Sequence, residues 1–72
     1  MTVYALGEER LVRGYALAAV QVAAAENPEE VVAAWRRLPA DAGLLLLTPM
    51  AEAALAGHLD ERPRLLHAVL PP

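Results

Sequence analysis

Residues 43 to 49 read Gly-Leu-Leu-Leu-Leu-Thr-Pro, and this stretch decides the fold of the chain. Leucine has a high helix propensity, so propensity alone would place the four leucines in a helix. The run is short, however, and it lies between a turn at residues 41–43 and a Thr-Pro pair typical of a helix start. Such boundaries predict a strand, Leu44 to Leu47, that is buried on both faces of a sheet.

Strand and helix patterns alternate on either side of this run. Residues 2–6, 20–24 and 65–70 are predicted to form the other three strands. A first helix is expected from about residue 8 to residue 18, because acids favour the first turn. We predict that its inner face brings Gly14 into close contact with the sheet and consists of Leu11, Gly14, Tyr15 and Ala18.

The second helix has the strongest start signal. Asn27 can cap it, Pro28 suits its first position and Glu30 gives a capping-box-like pattern. Trp35 is predicted to lie in the core, where its indole N–H needs an acceptor. The helix should end at Pro39, and its apolar stripe consists of Val31, Ala34, Trp35 and Leu38.

The third helix is predicted to run from the Thr48-Pro49 pair to about Leu59. Its apolar residues lie on two sides, Met50, Ala54 and Gly57 on one and Leu55 and Leu59 on the other. Either the helix is covered on more than one side, or its alanines simply face water.

The resulting order, β-α-β-α-β-α-β, predicts one α/β domain over residues 1–72 with a small Rossmann-like (flavodoxin-like) fold. Right-handed crossovers limit the possible topologies, and the flavodoxin-like rule gives a four-stranded parallel sheet ordered 2-1-3-4. Helix 1 should lie on one face of the sheet, and helices 2 and 3 on the other. Gln21 and His67 on the edge strands, with leucines in the centre, agree with this order.

The side-chain inventory argues against catalysis. The chain contains no Ser, Cys or Lys, and neither Thr2 nor Thr48 has an evident base beside it. Without cysteine, disulfides and thiolate metal sites are excluded. His58, Asp60 and Glu61 could be mistaken for metal ligands, but closed sites usually need three or four convergent ligands, and His58 is expected at a solvated helix end. We therefore expect no enzymatic activity, no catalytic residues, no metal and no cofactor.

Charge and hydropathy limit the classes of molecule that the chain is expected to bind. The net charge is −3 and the six arginines are scattered, which argues against nucleic acid. No apolar run approaches the roughly 20 residues of a membrane span, and the N-terminus lacks a signal-peptide pattern. A cytoplasmic location is expected. The hydrophobic fraction, 57%, is high, so we expect some apolar surface to contact another chain.

The segment Gly7-Glu8-Glu9 lies at the predicted switch point of the sheet, where such folds bind ligands. Two acids repel phosphate, and the glycine spacing fits no phosphate loop. A receiver domain would need an aspartate where Thr48 stands, and a lysine. Acids at a helix start are ordinary, so a ligand crevice at Glu8, Glu9 and Thr48 is kept only as the alternative hypothesis.

Several segments, in the right order, resemble the F family of V/A-type (vacuolar/archaeal-type) rotary ATPase subunits. Gly7-Glu8-Glu9 and residues 14–20, Gly-Tyr-Ala-Leu-Ala-Ala-Val, resemble the family's Gly-Asp and Gly-Phe-x-Leu-Ala-Gly-Val opening. Residues 27–30, 44–52 and 66–71 resemble its second helix start, its third strand and helix, and its last strand. The chain stops at Pro72, where family members usually continue into a C-terminal helix, so it resembles a short form.

The resemblance implies a non-catalytic central-stalk component of a machine for ATP synthesis and proton transport. Its partner would be the coiled-coil component of the same stalk, which belongs to the D family. The chain would be peripheral to the membrane through that complex. Two alternatives are a stand-alone small-ligand-binding or signalling domain and a self-assembling homo-oligomer.

The predicted topology also suggests a partner surface. Helix 1 alone on its face would leave strands 3 and 4 open there. We expect a partner helix or a second copy to cover this area. The predicted interface consists of Leu45, Leu47, Leu55, Leu59, Leu66 and Ala68.

Overall fold

The structure is a computed structural model that describes the backbone of residues 1–72 and every side chain except that of Leu17. Four parallel strands form one sheet in the order β2-β1-β3-β4, as the sequence predicts. The elements are β1 (Thr2–Gly7), α1 (Glu9–Val12) continued by a 3₁₀ helix (Arg13–Ala18), β2 (Gln21–Ala24), α2 (Pro28–Arg37), β3 (Ala42–Leu47), α3 (Pro49–Ala54), a second 3₁₀ helix (Leu59–Glu61) and β4 (Leu66–Val69).

The four leucines lie in a central strand. β3 pairs with β1 on one side and with β4 on the other, so its backbone groups are satisfied within the sheet. Leu45 and Leu47 are fully buried, whereas Leu44 and Leu46 are half-buried. Burial between two strands therefore overrides the helix propensity of leucine, and the strand prediction is confirmed.

The main core lies between the sheet and the α2–α3 layer. Its sheet side includes Leu6, Leu45 and Leu47. The predicted stripe of α2 supplies much of the helical side, and Ala51 and Leu55 complete it. The opposite face of the sheet buries Ala5 beneath α1, where Val12 is also fully buried. One helix on one face and two on the other is the arrangement the sequence predicts.

The first helix differs from the prediction. Only Glu9–Val12 is α-helical, and residues 13–18 wind more tightly as a 3₁₀ helix. Ala19, which follows this helix, has a φ of 61°. A 3₁₀ helix has three residues per turn, so the stripe predicted at a 3.6-residue spacing does not stay on one face. Leu11 and Tyr15 are half-buried, while Gly14 and Ala18 are exposed. Val12 is the buried residue, while Gly14 is exposed and does not contact the sheet.

The third helix is shorter than expected, ending at Ala54 rather than near Leu59. Ala51 and Leu55 are buried against the core, while Ala53 and Ala56 face solvent. In the isolated chain these two alanines face water. Cover of the helix by another chain stays a prediction.

Candidate functional site

The carboxyl ends of β1 and β3 meet at the switch point of the sheet. Thr48 is fully buried there, and its hydroxyl donates a hydrogen bond to Glu8 Oε1 over 2.6 Å. The same oxygen accepts a hydrogen bond from the Ala51 N–H over 3.3 Å and so caps α3. Gly7, with a φ of 154°, leaves space for the Thr48 side chain that a Cβ atom would occupy. The hydroxyl therefore both donates and accepts within the chain. The expectation that no base lies beside Thr48 is wrong, because the Glu8 carboxylate is adjacent to it.

The neighbouring helix starts are occupied by the chain's own carboxylates. The Glu9 N–H donates to Glu26 Oε2 over 2.8 Å, and the Glu26 N–H donates to Glu30 Oε1 over 2.8 Å. Asn27 Oδ1 accepts from the Glu30 N–H, as predicted for a cap. The carboxylate of Glu30 thus reaches the residue before the cap rather than the cap itself. An anionic ligand would have to displace these acids.

The structure brings together only two of the three residues proposed for the ligand crevice. Glu8 contacts Thr48, but the carboxylate of Glu9 lies 3.9 Å from the Arg13 guanidinium. The hydrogen bond from Thr48 is the largest cause that lowers the pKa of Glu8, followed by its own backbone N–H, against a smaller opposing effect of burial. Glu8 is therefore ionised at neutral pH, and the crevice is negative.

Trp35 is held by two consecutive residues of the segment between α3 and β4. Its indole N–H donates to Glu61 Oε1 over 2.9 Å, and the guanidinium of Arg62 lies 5.4 Å from the ring centroid. Arg62 also donates to the carbonyl oxygens of Leu38 (2.6 Å) and Pro39 (3.3 Å), at the end of α2. The sequence predicts a partner for this indole but not its identity, because Glu61 lies 26 residues away.

Both carboxylate oxygens of Glu61 are engaged by neighbouring side chains. His58 Nδ1 lies 3.2 Å from Glu61 Oε2, and the indole of Trp35 occupies the other oxygen. The bond from Trp35 is the main cause that lowers the pKa of Glu61, and His58 adds to it. Among the described residues, no group of three or more His, Cys, Asp or Glu side chains is arranged to hold a metal.

The second candidate site is the uncovered part of the sheet on the α1 side. Leu44 pairs with Leu66 and Leu46 pairs with Ala68, and residues paired in this way share a face of the sheet. Leu66 is 65% exposed, and all four residues of β4 face solvent. We name the surface formed by Leu44, Leu46, Leu66 and Ala68 the open face.

The open face corrects the predicted interface. Leu45, Leu47 and Leu55 have no exposed surface because they face α2 and α3 in the chain's own core. Leu59 is half-buried against the same core. Of the six predicted residues, only Leu66 and Ala68 lie on the open face, and Leu44 and Leu46 take the places given to Leu45 and Leu47. That a partner binds there stays a prediction.

The fold and these two sites define the chain as a small Rossmann-like α/β domain with an acidic switch point and an apolar open face. Comparison with known protein families, with characterised proteins and with solved structures gives no match. In the described part of the chain, no helix has both the length and the apolar character needed to cross a membrane.

Proposed function

We propose that this chain is a non-catalytic docking domain that binds one helix of a partner protein on its open face. The observation that carries the proposal is an uncharged strip on the α1 side in which Leu66 and Ala68 are exposed and Leu44 and Leu46 are half-buried. The strip contains no group that could hold a small polar ligand. An uncharged apolar strip of this kind suits contact with an apolar surface of another polypeptide.

The dimensions of the open face favour a helix as the occupant. Two neighbouring strands span about 10 Å at a spacing of about 4.8 Å, and an α-helix has a diameter of about 10–12 Å. The opposite face of this sheet is covered by two helices, α2 and α3. A single partner helix lying over β3 and β4, beside α1, would cover the α1 side of the sheet with two helices as well.

Energetics favour covering this strip. Full burial of a leucine side chain is worth roughly 1.5–3 kcal/mol, and Leu66 is 65% exposed. A domain of this size has a net stability of only several kcal/mol. Burying the open face against a partner is therefore a substantial gain relative to the stability of the isolated chain.

The resemblance to the F family suggests which helix would bind. In V/A-type ATPases the implied partner is the D-family coiled coil of the central stalk. Under this proposal the chain performs no chemistry itself, lies in the cytoplasm and is peripheral to the membrane through the complex. The acidic switch point would not bind nucleotide, because its hydroxyl and helix starts are occupied by Glu8, Glu26 and Glu30.

Light scattering on the purified chain separates a helical partner from a second copy. The proposal predicts a monomer, whose mass Leu66→Asp leaves unchanged because the open face is free. A dimer that Leu66→Asp dissociates would show that a second copy covers the open face. That result would replace the proposed partner with self-assembly.

A further inference from the structure

We propose that a groove at the amino ends of β3 and β4 binds an amphipathic carboxylate, a small anion with an apolar chain. The groove has a volume of about 640 Å³. Its size falls within the range of small-molecule sites, roughly 300–1,000 Å³. The groove is lined by Leu38, Ala40, Ala42, Arg62, Pro63, Arg64 and Leu65.

The lining combines an apolar floor with positive charge. Five of the seven residues are apolar or proline, and the other two, Arg62 and Arg64, are arginines. Neither arginine forms an ion pair with a described side chain. The two unpaired arginines make the groove positive, although the chain as a whole has a net charge of −3. This positive charge favours an anionic ligand with an apolar body.

The carboxylates of Glu61 and Asp41 are close to the groove in sequence but do not line it, and each is hydrogen-bonded to residues outside the lining. Glu61 accepts hydrogen bonds from Trp35 and His58, and the carboxylate of Asp41 accepts one from the Thr2 hydroxyl over 2.9 Å. No carboxylate is among the lining residues. The groove therefore contrasts with the acidic switch point at the opposite end of the sheet.

Arg62 is held in position before any ligand binds. Two of its N–H groups donate to the carbonyl oxygens of Leu38 and Pro39, and its guanidinium lies over Trp35. A guanidinium has five N–H donors, so about three remain without a partner among the described residues. A fixed guanidinium loses little side-chain freedom on binding a carboxylate, and Arg64 at the groove supplies a second positive charge.

Octanoate is a suitable probe, with 1-octanol as its uncharged counterpart of equal chain length. Trp35, the sole tryptophan, lies beneath Arg62 and reports binding through its fluorescence. We expect a saturable change with octanoate, and binding by octanol that is about tenfold weaker or more, because octanol lacks the charge-assisted hydrogen bonds. Arg64→Gln should weaken octanoate binding by about tenfold. The control Arg13→Gln removes an arginine from the first 3₁₀ helix, on the α1 side of the sheet, and should not change octanoate binding.

The location of the probe decides between this groove and the open face, so failure here is independent of the proposed docking function. Methyl NMR shifts at Leu38 and Leu65 are expected on octanoate binding. Shifts at Leu46 and Leu66 instead would overturn the proposal. So would the absence of saturable binding, equal affinity for octanol, or an Arg64→Gln variant that binds as well as the unaltered chain.

Discussion

The hydroxyl of Thr48 donates to the carboxylate of Glu8 over 2.6 Å, joining the residue that follows β3 to the residue that follows β1. In folds of this kind the ends of these two strands form the ligand crevice. Here the hydrogen bond between Thr48 and Glu8 joins the ends of the two strands. The pair adds a side-chain bond to the backbone bond from the Thr48 N–H to the Leu6 carbonyl at this end of the sheet.

Replacing Thr48 with valine should destabilise the fold by about 1–2 kcal/mol. The change preserves shape but removes a buried helix cap and leaves the Ala51 N–H without its acceptor. Urea unfolding measures the difference. Thr2→Val is the matched control, because the Thr2 hydroxyl bonds Asp41 at an exposed position. Equal losses for both variants would contradict a special role for Thr48.

Glycine at position 7 is required by the same contact. Gly7→Ala should lower the free energy of unfolding by about 2 kcal/mol or more, since φ is 154° and the new Cβ would overlap the Thr48 side chain. Gly14→Ala places its Cβ in open space and should change stability by less than about 1 kcal/mol. Thermal unfolding of the two variants compares them directly. A tolerated Gly7→Ala would mean that β1 and Thr48 pack less closely than described.

The ionisation of Glu8 should make stability depend on pH in the acid range. Its pKa is lowered in the fold from the ordinary value of about 4.5, chiefly by the Thr48 hydrogen bond. Its stabilising contribution is therefore complete above about pH 4.5 and is lost as pH falls through the lowered value. Urea unfolding of the unaltered chain and of Glu8→Gln should give stabilities that differ at neutral pH and converge in acid. A constant difference at all pH values would refute the assignment.

The strand pattern could be predicted because turns and caps mark the ends of each element. Which leucines of β3 face the helices could not be predicted, because four consecutive leucines contain no alternation of apolar and polar residues. The interface prediction therefore chose Leu45 and Leu47, whereas the register with β4 shows that Leu44 and Leu46 share a face with Leu66. The 3₁₀ winding at Gly14 was also missed, since the same apolar spacing fits an α-helix.

The switch point should bind neither ATP nor ADP tightly, with or without magnesium. Glu8, Glu26 and Glu30 supply negative charge, and the Thr48 hydroxyl is already bonded. Isothermal titration calorimetry should show no micromolar binding to the isolated chain. Micromolar affinity would support the alternative of a ligand-binding domain at Glu8, Glu9 and Thr48.

The most direct test of the docking function is a calorimetric titration of this chain with the D-family coiled-coil protein of the same organism's rotary ATPase. We predict a one-to-one complex that Leu66→Asp weakens by about tenfold or more, because a charge would be buried in an apolar contact. Val69→Asp places the same charge on the opposite face of the same strand and should leave affinity unchanged. No binding, or equal weakening by both variants, would contradict the proposal.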